Sequence, residues 1–406
     1  MNLDSQVATP TLVTAEDHPP SPDASPEPPA TPPPLTSGAL AEPQGSHVLE
    51  RLVSESWQRA PGRRSRRPRP SPRSSLEIAI AFDLKDDVRA NLAPGAPDDA
   101  LEEYDSLETV HEIAAALAEL GHRPRIVGGG RALVQQMLES PPDLVFNIAE
   151  GWGTRSREAH VPSLLEMLHV PFTHSDPLTL ALSLDKALAK RVVASHGLAT
   201  PRFAVVSSPA QLERLELGWP VVAKPVAEGS SMGIRDGAIF DSVAALRAAL
   251  PALKRGYRQA ILLEEFCPGP EFTVGVLGTG SAARVLGVME IVPKNLSLER
   301  FLYSLDAKRS WQQRVEYHAP PKRSPRLIRE LGKLAVESHR ALGCRDVSRV
   351  DLRLGRDGRP NFLELNPLPG LSSKSGDLVI LARSHGVSHA ELVRMIVAEA
   401  RARLGI

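Results

Sequence analysis

The chain has 406 residues, 42% of them hydrophobic and 24% charged, with a formal net charge of zero; this is the profile of a folded protein of two or three domains. No net field draws it to nucleic acid or an anionic membrane, and no apolar run reaches the roughly 18 residues of a spanning helix. The two cysteines, Cys267 and Cys344, are too few and too far apart for a disulfide framework or a zinc site, and the N-terminus lacks the charged head and apolar stretch of a signal peptide, so the expected location is the cytoplasm.

Residues 1–75 hold 15 of the 37 prolines, in runs such as HPPSPDASPEPPATPPP. Such a segment buries too little apolar surface to offset its ordering entropy and is expected to be a disordered tail. Within it VLERLVSESW (48–57) reads as a transient helix. RRSRRPRPSPR (63–73) reads as a solvated basic run in preference to a nucleic-acid or membrane contact.

From Leu76 the pattern changes. LEIAIAF suits a strand, LETVHEIAAALAELGH repeats apolar residues at helical spacing up to Gly121, and RPRIVGGG and PPDLVFNIAEG read as further short strands. SLLEMLHVPFTHSDPLTLALSLDKALAKRVVASHGL predicts a helix, a turn and a second helix ending near Gly197. This alternation predicts an open α/β domain over 76–174. Beyond it the strand-like runs WPVVAKPV, ILLEEF, FTVGVLG, ARVLGVMEIV, SRVDLRL and NFLELNP lie close together. They predict mostly antiparallel sheets, in a central subdomain over 175–262 and a C-terminal one over 263–406, with helices SVAALRAALPAL, PRLIRELGKLAVESHRALG and SHAELVRMIVAEARARL on one side.

The most informative stretch is SRVDLRLGRDGRPNFLELNP (348–367), two alternating runs around the turn signal GRDGRP. Strand periodicity puts Arg349, Asp351 and Arg353 on one face, and Glu364 with Asn366 on one face of the next strand. With 355–360 as the connection, Asp351 falls opposite Glu364. Facing carboxylates repel unless something offsets them. A hard divalent cation would, since Mg²⁺ prefers one or two carboxylates completed by phosphate oxygens. The plainer reading is surface ion pairing with Arg349 and Arg353, and the hairpin by itself favours neither.

Upstream, KPVAEGSSMG (224–233) is a lysine followed by a glycine–serine loop. It is not a Walker-type phosphate loop, whose lysine follows the glycines. Glu264 and Glu265 lie in an apolar run before a PGP turn and Glu271; alone they read as an exposed strand edge. Lys186 and Lys190 lie one helical turn apart, and their plainer reading is a solvated face.

Together these segments resemble the ATP-grasp superfamily, and within it the D-alanine–D-alanine ligase family. The resemblance runs from about Leu76 to the C-terminus and rests on six motifs in order: VFN (145–147), LDKALAK (184–190), KPVAEGSSMGI (224–234), LLEEFCPGPEFTVGVLG (262–278), RVD (349–351) and LELNPLPGLSSKS (363–375). It implies an ATP-grasp fold, with an N-terminal α/β domain and two α+β subdomains that clamp ATP. The 224–233 loop would close over the phosphates through Glu228, Gly229 and Ser231, with Lys186 and Lys224 also on phosphate. Glu264, Glu265 and Phe266 would frame the adenine, and Glu271 would take the ribose. Asp351, Glu364 and Asn366 would bind two Mg²⁺ ions, with Mn²⁺ as a substitute.

The activity implied is cytoplasmic, ATP-dependent dipeptide formation through an acylphosphate, of the kind used in cell-wall synthesis. Arg349 and the backbone N–H of Gly370 would stabilise the oxyanion, Lys308 would neutralise phosphoryl charge, and Ser230 would orient the second amine, whose carboxylate Ser375 would hold. The partners implied are small amino acids and a second copy of the chain, with neither membrane nor nucleic acid. Three departures touch the first substrate's pocket. DALEEYDS (99–106) replaces the family's SAExEVS, leaving Glu102 or Glu103 as the glutamate for the donor ammonium. EGWGTRSRE puts Glu150 where a histidine is usual, and DAKRS keeps Lys308 but has Arg309 in place of the lid tyrosine. These departures carry the alternative expectation, an ATP-grasp ligase for a different amino acid or peptide. A nucleotide-binding module without catalysis is the weaker alternative, since the metal-ligand set is complete.

Overall fold

The computed structural model describes residues 75–294 and 296–406. The expected disordered tail, its short helix and its basic run lie outside them. Three sheets organise what is described.

The first sheet is parallel, with β1 (Glu77–Phe82), β2 (Arg123–Ile126) and β3 (Leu144–Ile148) in the order β2-β1-β3. β1 and β3 are buried nearly throughout, as strands covered on both faces must be. The helix Leu107–Glu119 covers one face, where Val110, Ile113 and Leu117 share a core with Ile78, Ile80 and Phe146. Ser106 caps it by accepting from the Thr109 N–H at 3.3 Å, and Gly121, at φ +80°, turns the chain away. The same core takes in the two last helices, Asp377–Ser384 and His389–Leu404, through Leu378, Leu392 and Ile396. The chain's end thus folds back onto its first described sheet.

The second sheet is antiparallel: β4 (Phe203–Val206), β5 (Val221–Pro225), β6 (Ile239–Phe240) and β7 (Ile261–Glu265), in the order β4-β7-β5-β6. The helix Val243–Tyr257 packs Leu246 and Leu250 with Val221, Ala223, Ile261 and Leu263. The two-residue period sends Val222, Lys224, Leu262 and Glu264 to the opposite face. The expected boundary at 262/263 falls inside β7.

The third sheet is also antiparallel: β8 (Glu271–Leu277), β9 (Arg284–Pro293), β10 (Val315–His318), β11 (Val347–Leu354) and β12 (Pro360–Asn366), in the order β10-β9-β8-β11-β12. The helix Pro325–Ala341 shares a core with Val274, Val350 and Leu352 through Leu331 and Ala335, which leaves Arg349, Asp351 and Arg353 on the far face.

One predicted helix is two. The run that was to end near Gly197 forms Pro177–Leu184 and Lys186–Ser195, broken at Asp185, whose carboxylate accepts from the N–H groups of Ala187 and Leu188 at 3.1 and 3.0 Å. An aspartate inside an apolar run is a cap signal. The break starts a new helix at Lys186.

Candidate active site

The polar faces of the second and third sheets line one cavity. Val222, Phe266, Leu302 and Leu363 make its apolar wall, and Lys224, Glu264, Glu271, Lys308, Asp351 and Glu364 its polar one. The PGP turn shapes the rim. The Gly269 N–H donates to the Leu354 carbonyl and the Leu354 N–H donates to the Pro270 carbonyl, both at 3.0 Å; a Cβ on Gly269 would come within 2.7 Å of Leu354, so only glycine fits.

The acidic hairpin has the expected register. Asp351 pairs with Glu364, and Arg349 with Asn366. The connection, however, is one residue shorter than expected, because β12 starts at Pro360, opposite Leu354. A bulge between Asp351 and Leu352 absorbs the difference, making Leu363 the extra residue. Leu363 and Glu364, adjacent in sequence, therefore both line the cavity.

The arginines of β11 do pair with acids, but in the interior. Arg349 Nη2 lies 2.8 Å from Asp351 Oδ2, and its Nη1 lies 3.6 Å from Asp377. Thr273 Oγ1 donates to Asp351 at 2.8 Å, and Asn366 turns its Nδ2 to the same carboxylate at 3.3 Å. Arg353 donates to Glu271 at 3.0 Å and lies 4.6 Å from the centroid of the Phe266 ring, so the expected ribose carboxylate already has a partner.

Lys186 and Lys190 are buried, which overturns the reading of a solvated face. Lys190, fully buried, lies 2.8 Å from Glu264 and donates to Thr200 Oγ1 and the Phe362 carbonyl at 3.0 and 3.1 Å. Lys224 donates to the other oxygen of Glu264 at 2.6 Å. Burial opposes the charge on Glu264, but the two lysines hold its carboxyl below the usual range. The exposed-edge reading of Glu264 fails for the same reason. Lys186 donates to the Glu228 carbonyl and lies 3.3 Å from Glu364. Burial opposes ionisation of Glu364 too, yet Lys186, Lys224, Lys308 and Arg349 hold it well below the carboxylate range.

A second, larger cavity adjoins the first, and Tyr303 and Lys308 line both. Ser230, Arg349, Asn366, Gly370 and Ser375 all line the second. The 224–233 loop runs between them, with Ser231 on the smaller cavity and Gly229 and Ser230 on the larger. Glu228 lines neither. Its carboxylate accepts from Gln259 Nε2 at 2.6 Å and lies 3.5 Å from Arg157, on a separate pocket. Two further contacts hold the loop's second half: the Gly233 N–H donates to Asp99 at 3.0 Å, and Ser231 Oγ donates to the Tyr303 carbonyl at 3.2 Å. A Cβ on Gly229 would meet Glu103 Oε2 at 2.7 Å, so a side chain there would displace the Glu103 carboxylate from Arg157.

The two candidate donor glutamates are both taken. Arg309 grips Glu102 at 2.6 and 2.9 Å and also reaches Asp98 at 3.3 Å, tying the short helix Leu305–Arg309 to the 98–102 segment. Arg157 grips Glu103 through two hydrogen bonds of 2.9 and 2.8 Å. Asp99, Arg157 and Lys190 were not singled out as site residues. The only signal for Lys190 is its four-residue spacing from Lys186, which puts the two on one helix face.

The comparisons agree with this architecture. The family model described as the D-ala D-ala ligase C-terminus matches residues 192–398. A D-alanine–D-alanine ligase of Bordetella petrii is 34% identical over 310 residues, covering 74% of this chain and 88% of that protein. One from Aquifex aeolicus is 33% identical over 294 residues, covering 72% and 94%. The crystal structure of D-alanine–D-alanine ligase from Bacillus anthracis complexed with ATP superposes with a TM-score of 0.61 at 18% identity, covering 81% of this chain and 99% of that one.

Proposed function

The chain belongs to the D-alanine–D-alanine ligase family, and from that premise we propose how its residues carry out the ATP-dependent joining of two amino acids. It is an ATP-using ligase that forms a carbon–nitrogen bond, of the D-alanine–D-alanine ligase type. The observation that carries the residue-level reading is the Asp351–Glu364 register, which sets two carboxylates face to face on a cavity that also holds Lys224 and Lys308.

Mg²⁺ is proposed at Asp351, Glu364 and Asn366. The donor set fits: hard oxygen ligands, with Glu364 held ionised and no thiolate or imidazole among them. Among the described residues no cluster of three His, Cys, Asp or Glu side chains suits a metal, so phosphate oxygens would complete the coordination. Bound there, the ions would neutralise charge on the phosphates.

The protein's own contribution is positioning and fixed charge, which carry most of phosphoryl transfer. Lys224, Lys186 and Lys308 would draw the phosphates into place, while Phe266 and its apolar neighbours would exclude water from the base. The carboxylate activated as an acylphosphate would lie beside Arg349 and the Gly370 N–H, which stabilise the oxyanion formed on amine attack. Ser230 would orient that amine, and Ser375 would hold the acceptor's carboxylate. We place the reaction in the cytoplasm, where ATP is supplied; among the described residues no helix is long and apolar enough to cross a membrane.

The test is phosphate release from ATP and Mg²⁺ with D-alanine, with the dipeptide measured by chromatography. Release coupled one-to-one to dipeptide is expected, with Asp351→Asn slowing it by at least about 10²-fold, the scale of losing one preorganised electrostatic group. Release that stays the same in the variant would refute the assignment of Asp351.

A further inference from the structure

Two carboxyl groups in the larger cavity have no cation in direct contact, though Arg157 acts on both at longer range. Glu150 follows β3, and Glu158 lies in the single turn Arg157–Ala159; both face the cavity near Gly229 and Ser230. Glu158 is 7% exposed. Among the described residues no hydrogen bond or ion pair reaches either carboxylate, and the surrounding cations are engaged elsewhere. Arg157 is committed to Glu103 and Glu228, Lys186 to Glu364 and the Glu228 carbonyl, and Arg309 to Glu102 and Asp98. Lys85 is the cation that acts on Asp105.

Two acids on one cavity wall, Glu158 buried and Glu150 half-buried, are costly to ionise. Burial is the main cause that pushes both upward, Glu158 to about 8 against the opposing pull of Arg157; the charge of Glu103 adds to it at both, and that of Glu158 adds to it at Glu150. The arrangement is relieved by a cation that arrives with the substrate. The glutamates first expected to receive the donor ammonium, Glu102 and Glu103, are closed off by arginines.

We propose that Glu150 and Glu158 receive the cationic end of the first amino acid, and that a subsite with two carboxylates for one α-ammonium also accepts a diamino acid as donor beside D-alanine, its side-chain ammonium meeting the second carboxylate. This rests on the ligase reading above. The balance is that of the parent reaction: the donor's carboxylate takes the γ-phosphoryl group of ATP and ADP leaves; the acceptor's amine, having given up its ammonium proton, displaces phosphate and loses a second proton as the amide forms; the donor's α- and side-chain ammonium groups keep their protons.

The test compares two donors of equal size, D-2,4-diaminobutyrate and the neutral D-norvaline, each with ATP, Mg²⁺ and D-alanine as acceptor. Tandem mass spectrometry identifies the N-terminal residue of the dipeptide, and hence the donor. The expected result is a kcat/KM at least about tenfold higher for the diamino acid, the worth of one charge-assisted contact, with Glu150→Gln and Glu158→Gln each cutting that ratio severalfold. A smaller wild-type ratio, or variants that keep the full ratio, would overturn the assignment. The wild-type ratio decides alone if a variant does not fold. If D-alanine itself gives no dipeptide, the ligase reading is what fails; if D-alanine is ligated and the diamino acid has no advantage, only this subsite does.

Discussion

Glu264 sets the charge balance on the wall of the smaller cavity. It sits between Lys190 and Lys224 with both oxygens occupied, an arrangement in which each ion loses hydration and depends on the others. Lys190 lines neither cavity, so its part is to position Glu264 and, through it, Lys224. Replacing it by methionine keeps the bulk, removes a buried partner, and leaves Thr200 Oγ1 without its donor, while the Phe362 carbonyl keeps the Thr200 hydroxyl at 2.8 Å. We expect Lys190→Met to lower unfolding free energy by about 3 kcal/mol, the low end for breaking a buried pair, because Lys224 still holds Glu264. Urea denaturation checks this, and a loss under about 1 kcal/mol would mean that Lys224 alone suffices. Asp351, Glu364 and Lys224 could be picked out from strand period and motif order. The partnership of Lys190 with Glu264 could not, because it joins a helix to a strand 74 residues away and no local rule encodes that distance. The same holds for Arg157 with Glu103 and Arg309 with Glu102. Sequence gave a charge at each position and no means to pair them.

At the scale of elements, most strands and the long helices were legible because each carries a strong period: EIAIAF in β1, RVDLRL in β11, and the amphipathic run of Pro325–Ala341. The short pieces were not. β6 has two residues and β10 has four, and the helix Leu305–Arg309 has five, too few for a period to show. The break at Asp185 was hidden by the apolar residues on both sides, which read as one helix. That break serves the site, because it makes Lys186 the first residue of its helix and turns its chain toward Glu228 and Glu364. Asp185→Ala removes both capping hydrogen bonds, and a lost N-cap costs about 1 kcal/mol. The expected outcome is that drop in stability together with a raised KM for ATP, as Lys186 loses its fixed origin, and little change in KM for amino acid. Steady-state kinetics with each substrate varied in turn would show it. An equal rise in both would mean that the cap holds the whole fold and does not act on the nucleotide side in particular.

For the whole molecule, the joints between the sheets matter more than any one core. His174 lies edge-on to Phe146 of the first sheet at 5.4 Å, and its backbone N–H donates to Asp346 at 2.9 Å; Arg403, from the last helix, reaches both Asp346 and the Phe172 carbonyl at 2.8 Å. His339 joins the helix Pro325–Ala341 to Ser348 of β11 and to the Gly278 carbonyl at 2.8 and 3.1 Å. Burial, the main cause, pulls the imidazole of His174 down to about 3 and that of His339 to about 4. In the unfolded chain a histidine takes its proton near pH 6.5. Between roughly pH 4 and 6.5 the unfolded state therefore holds more protons at these sites, so stability falls as pH falls, by about 1.4 kcal/mol per pH unit for each histidine. Glu158 works the other way, since its folded-state value is raised above the unfolded one. A single total slope would mix the two, but the difference between two proteins sharing Glu158 cancels it. We therefore expect His339→Gln to be less stable than wild type near neutrality and to lose stability more slowly on acidification, its slope shallower by about 1.4 kcal/mol per pH unit between roughly pH 4.5 and 6. Urea midpoints at several pH values across that range measure both slopes. Parallel slopes would show that His339 takes up its proton in the folded state, and that the joint between helix and sheet opens to water before the molecule unfolds.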